Sequence, residues 1–188
     1  MRHPFASLFV VSMLCALLIP GPAVAQELTN HAAGKAYRLS HAPAQSREAY
    51  EDTTGPEGYA EKTFYRGELT DGITAPPHYR DPGWMLWRNS DYETFYVTID
   101  LEQEVWIDRV DVRWFARSSD FRPPQTAALA VTSADFPYDS FVRIGSMETV
   151  EPFDPEGEGR ICTIRADEVK CRASQVQLSF GIQGYDYL

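Results

Sequence analysis

The chain has 188 residues, 44% of them hydrophobic, and carries 27 Asp+Glu against 17 Lys+Arg for a formal charge of −10. So acidic a balance argues against nucleic acid, whose phosphates are bound by Lys and Arg displacing counterions, and against anionic lipid headgroups. The length suits one ordinary domain of about 100–150 residues plus a short leader, and no internal repeat is visible.

Residues 1–25 read as a secretory signal peptide: Arg2 and His3 precede an apolar run from Phe9 to Ile19, and Ala23-Val24-Ala25 satisfies the small-residue cleavage rule. That run falls short of the roughly 20 apolar residues that span a bilayer, so the mature chain, 26–188, is expected to be exported with no membrane-spanning segment. The leader holds one acidic or basic residue, Arg2, so cleavage makes the chain more acidic still.

From 42 to 65 the sequence is rich in Pro, Gly, Glu and Ser without a clear period and reads as a long surface loop, with one helical turn near Glu48. Asp71-Gly72 is a turn signal, because Gly supplies positive φ and Asp bonds its own backbone. The following loop carries two tryptophans, Trp84 and Trp87, and leads into Phe95–Leu101. There Phe95, Val97, Ile99 and Leu101 share one face of a strand, while Tyr96, Thr98 and Asp100 share the other. Ile107–Trp114 repeats the pattern with Val110, Val112 and Trp114 on one face. Ala127–Thr132, Phe141–Ile144, Ile161–Ile164 and Val176–Phe180 are further short strands separated by Pro, Asp, Ser and Gly clusters. Short strands at such spacing predict an all-β sandwich or barrel.

Two cysteines, Cys162 and Cys171, outlast the leader. An exported chain meets an oxidising compartment, where an even pair is usually a disulfide. Ala166-Asp167-Glu168 between them reads as a tight hairpin, so a bridge across it is expected to stabilise the fold by about 2 kcal/mol. A metal or redox site is the sharper alternative, but the spacing brings no neighbouring His or third Cys.

Taken together, the motifs resemble the discoidin domain, also called the coagulation factor V/VIII type C domain. Asn30-His31-Ala32-Ala33-Gly34-Lys35-Ala36-Tyr37 matches the family's opening Asn-x-Ala-x-Gly-Lys-x-Tyr pattern, and Tyr50-Glu51-Asp52-Thr53-Thr54-Gly55 its tyrosine-led acidic turn. Leu69-Thr70-Asp71-Gly72, Gly83-Trp84, Ile99-Asp100-Leu101 and Leu129–Asp135 follow in the family's order. The likeness covers about Glu27 to Leu188 and is nearest the bacterial carbohydrate-binding type of this galactose-binding-domain-like superfamily. It implies an antiparallel β-sandwich of jelly-roll type. The family's last strand, with its acidic residue, would begin where Gly184-Tyr185-Asp186-Tyr187-Leu188 stands, so that strand is expected to be cut short.

The resemblance implies a structural calcium ion at the Asp-Gly turn, with Asp71 as the matching residue and Thr70 and Thr74 as helpers; the alternative is a plain Asx turn. It also implies a glycan or glycoconjugate as partner, held by loops at one end of the sandwich. Sugars offer apolar C–H faces to aromatic rings and hydroxyls to charged or amide groups. Trp84, Trp87 and Tyr79 with Arg80, Arg88, Asn89 and Asp91 supply that mixture in one stretch. Equally, the two tryptophans could pack inward as core. Catalysis is not expected: His31, His41 and His78 form no metal-binding spacing, no Gly-x-Ser-x-Gly elbow is present, and carboxylate pairs are uninformative in so acidic a chain. The readings left open are a non-catalytic carbohydrate-binding module, a cell-envelope protein-interaction or structural module with no sugar site, and an accessory domain of a longer glycan-processing enzyme.

Overall fold

The computed structural model describes residues 29–40, 64, 69–77, 94–117, 123–136, 140–151 and 159–181. These form seven strands: β1 (Ala36–Leu39), β2 (Thr94–Ile107), β3 (Val110–Ala116), β4 (Thr126–Thr132), β5 (Val142–Thr149), β6 (Arg160–Ala166) and β7 (Cys171–Gly181). All neighbouring strands are antiparallel, in the order β1-β2-β7-β4-β5-β6-β3. Among the described residues no helix is long and apolar enough to cross a membrane.

The sheet is folded over on itself at β5–β6. Those two strands share register only at Glu148–Arg165 and Thr149–Ile164, whereas β3 and β6 pair along their whole length. Trp114 of β3 lies with its ring 5.4 Å from that of Phe180 in β7, although the two strands are far apart in the sheet order. Residues remote within one sheet touch like this when its halves form two facing layers with the core between them. The expected all-β antiparallel architecture is therefore the observed one.

Strand alternation builds that core. Phe95, Val97, Ile99 and Leu101 are buried on the face the sequence assigned to them, and Tyr96 on the opposite face is exposed. Thr98 departs from the pattern: it is buried between Arg38 on β1 and Gln177 on β7, and Gln177 donates to its hydroxyl at 3.3 Å. Leu129 and Val131 of β4 and Ile164 of β6 complete the centre, and the Phe95 and Phe180 rings pack at 5.1 Å. Such an aromatic pair contributes about 0.5–1.5 kcal/mol beyond its burial.

β2 is longer than its alternation suggested and carries a bulge. Asp100 pairs with Gln175 and Val105 with Ala173, so the residues between them bow out opposite Ser174, and Glu102 takes a left-handed φ of 65°. The chain then leaves the first layer at Asp108–Arg109 and enters the second as β3, which splits the expected single strand Ile107–Trp114 in two.

The cysteine expectation is corrected. Cys162 and Cys171 are free thiols, and their strands do not form a hairpin. β6 pairs with β3 and β5, while β7 pairs with β2 and β4. Cys162 stands opposite Trp114 in one layer and Cys171 opposite Ile107 in the other. The short link that looked like a hairpin turn is a crossover between layers. Glu168 and Lys170 adopt φ of 55° and 47° around the buried Val169, whose N–H donates to the Asp108 carbonyl at 2.9 Å. Burial of Val169 drives that course, and the two crossovers meet there.

Candidate functional site

Three segments that carry the family resemblance, distant in sequence, are joined by hydrogen bonds. The Asn30–Lys35 turn is closed locally: Asn30 Oδ1 accepts the Ala32 N–H at 3.1 Å, and Lys35 N–H donates to the Ala32 carbonyl at 3.1 Å. Gly34, at φ 68°, donates its N–H to the Thr70 carbonyl, and the buried Thr70 hydroxyl donates to the Lys35 carbonyl at 2.6 Å. Lys35 Nζ pairs with Glu102 at 2.7 Å, on the β2 bulge beside Ile99-Asp100-Leu101. Asp100 in turn accepts the Glu102 N–H at 2.9 Å, which settles the bulge backbone.

At the acidic turn, Asp71 Oδ1 accepts the Ile73 N–H at 2.7 Å and Gly72 has φ 82°. This is the Asx-turn geometry. Thr70 is committed to holding the neighbouring turn, while Thr74 is exposed. Calcium takes six to eight oxygens. The turn offers one carboxylate, with one oxygen already engaged, and among the described residues no group of three or more His, Cys, Asp and Glu could share a metal ion.

The expected sugar-binding set, Tyr79, Arg80, Trp84, Trp87, Arg88, Asn89 and Asp91, lies outside the described residues. The frame it joins is described: Thr94, at the start of β2, is in register with Gly181, which is in register with Thr126.

A second polar group, missed in the sequence, lies on the far part of β2. Glu104 accepts the Ser133 hydroxyl at 2.9 Å and the Ala134 N–H, while Ser133 Oγ accepts the Asp135 N–H at 3.2 Å. The Ala134 N–H foremost, then the Ser133 hydroxyl, hold the Glu104 carboxyl below the usual glutamate range against the opposing effect of desolvation, with a lesser contribution from the charge of Arg172. Two residues on, the exposed Trp106 donates its ring N–H to Asp108 Oδ1 at 2.8 Å. The second layer has its own polar cluster: Glu151 accepts the Thr163 N–H at 2.6 Å, and Arg113 donates to the Thr163 hydroxyl. Asp111 binds Arg165 through both oxygens, at 2.7 and 3.1 Å. Its groups satisfy one another, as a structural network does.

No protein-family model and no curated protein matches the sequence. Among solved structures, the chain is similar to chitosan-binding module 1 derived from the chitosanase/glucanase of Paenibacillus sp. IK-5, with TM-score 0.48 and 13% identity over 85% of this chain and 92% of that one. It is similar to carbohydrate-binding modules. Two others come from Clostridium perfringens. CpGH89CBM32-5, solved with GalNAc-β-1,3-galactose, gives TM-score 0.44 and 14% identity over 84% of this chain and 93% of that one. CpGH89CBM32-6 gives 0.43 and 15% over 82% and 90%. The likeness is one of chain path, and what each module binds is a property of that module.

Proposed function

We propose that the protein is an exported, non-catalytic carbohydrate-binding module that recognises glycans through loops at the Thr94 end of the sandwich. The observation carrying this reading is the junction of Asn30–Lys35, Thr70–Asp71 and Asp100–Glu102. Segments that match one family's motifs, in that family's order, are here bonded to each other on an antiparallel β framework. The segment holding Trp84 and Trp87 runs directly into β2, the strand those contacts anchor. Recognition would proceed by stacking of a sugar's C–H face on an indole, with Arg80, Arg88, Asn89 and Asp91 meeting hydroxyls. A single small site of this kind binds weakly, and multivalent display strengthens it. Calcium, if it takes part, would use Asp71 together with oxygens beyond the described residues.

The test is a glycan-array screen of the purified protein with and without a calcium chelator. Binding to a defined set of glycans is the expected result, and loss with chelator would place a calcium ion in the account. A protein folded by circular dichroism that binds no glycan would overturn the reading and favour an envelope-interaction module.

A further inference from the structure

Trp106 has no place in the loop-end reading, yet it is the large aromatic side chain most open to solvent among the described residues, 51% exposed. Strand geometry puts it there. Val105 packs against the core and Ile107 is buried in it, so alternation sends the intervening indole to the outer face. The ring is also oriented: its N–H donates to Asp108 Oδ1 at 2.8 Å. Asp108 is itself pinned, because its carbonyl accepts the N–H of the buried Val169 at 2.9 Å, where the two layer crossovers meet.

Polar residues neighbour the indole along β2 and across to β7. Glu104 and Asp108 flank it at two-residue spacing, and Arg172 stands directly opposite on β7, in register with Trp106. Glu104 is fixed by Ser133 and Ala134. The result is an exposed ring with the Asp108 carboxylate on its N–H, Arg172 in register on the neighbouring strand and Glu104 two residues back on the bulge, at the end of β2 remote from Thr94.

That composition selects a ligand class. The ring face suits the C–H face of a pyranose, and the bordering groups suit its equatorial hydroxyls. Two carboxylates against one guanidinium, on a chain of formal charge −10, oppose uronic acids and nucleic acid alike. We propose that Trp106, with Glu104, Asp108 and Arg172, forms a second carbohydrate-contact surface for a neutral hexopyranose unit. It rests on the carbohydrate-binding reading but on none of the loop residues. Two separate contact points on one module would let a long chain engage both, raising avidity without tightening either site.

The experiment follows the tryptophan indole N–H resonances of the whole protein by NMR, with Trp106 assigned through Trp106→Phe. Cellotetraose, a β-1,4-galactan tetrasaccharide and oligogalacturonate are titrated into wild type and Trp87→Ala. The expected result is a shift of the Trp106 resonance with at least one neutral tetrasaccharide, persisting in Trp87→Ala and absent with oligogalacturonate. Glu104→Gln, with its fold checked by circular dichroism, should weaken that shift several-fold. A Trp106 resonance that stays still while other indoles move overturns this surface and leaves the loop site standing. A shift confined to Trp106 sustains it and counts against the loop site. Stillness of every indole with all three sugars overturns this surface, while the glycan array decides the loop site.

Discussion

Glu102 and Glu104, two residues apart in the β2 bulge, reach to different parts of the fold: Glu102 to Lys35 in the opening turn, and Glu104 to the Ser133–Ala134 turn after β4. The bulge is clamped from both. Glu102 holds a left-handed φ of 65°, which costs a side-chain-bearing residue more than glycine. The half-exposed Lys35–Glu102 pair contributes little, about 0.2–1 kcal/mol. Glu102→Ala is therefore expected to destabilise more than Glu102→Gly, by about 1 kcal/mol, the reverse of the usual order within a strand. Urea denaturation of the two variants checks this; equal midpoints would mean the bulge relaxes when its side chain is removed.

Acid should loosen the same clamp. The Ala134 N–H and Ser133 hydroxyl lower the Glu104 carboxyl, and the Thr163 N–H lowers that of Glu151. A group depressed in the folded state adds stability above its unfolded value, about 4.3 for Glu, and loses it as pH falls through the folded value. Melting temperature should thus hold from neutral pH to about 5 and fall below about 4. Glu104→Gln and Glu151→Gln together should flatten that fall, as read by thermal melts between pH 3 and pH 7.

Phe180 joins the layers, with its ring 5.1 Å from Phe95 and 5.4 Å from Trp114. Phe180→Ala should cost about 3–5 kcal/mol, the range for deleting a buried ring. Tyr96→Ala on the exposed face of β2 should cost far less. Chemical denaturation separates them, and similar losses would contradict the two-layer packing.

The cysteines give a covalent check. Burial raises both the Cys162 and Cys171 thiols, so little thiolate forms near neutral pH. In the native protein both should react slowly with a thiol reagent, Cys162 the more slowly because it is fully buried, and both should react at once in denaturant. Mass spectrometry after alkylation should find the two free, and reductant should leave the melting temperature unchanged. A mass two protons lower, with loss of stability on reduction, would restore the bridge.

What could be read in the sequence was local. The alternation of Phe95–Leu101 gave the right face, and Asp71-Gly72 gave the turn that Asp71 makes with Ile73. Trp106 was legible too: in Glu104-Val105-Trp106-Ile107-Asp108 the tryptophan falls on the polar side of the alternation. Starting a new strand at Ile107 hid that, because the bulge conceals the continuity of β2. The rest depends on partners distant in sequence. Cys162 and Cys171 are close in the chain, but the separate pairings of β6 and β7 show that the chain between them changes layer. Nothing near Glu104 announces Ser133 and Ala134. The β1 strand is brief, and its place beside β2 is fixed by register with Val97–Asp100 rather than by its own pattern.

The most direct test of the central claim is calorimetric titration of the strongest array glycan into wild type and Trp87→Ala at equal ionic strength. The account predicts measurable binding by wild type and a loss of about tenfold or more in Trp87→Ala, as expected for a tryptophan at the centre of a contact, with the circular dichroism spectrum unchanged. Undiminished affinity in a folded Trp87→Ala would contradict recognition through that loop.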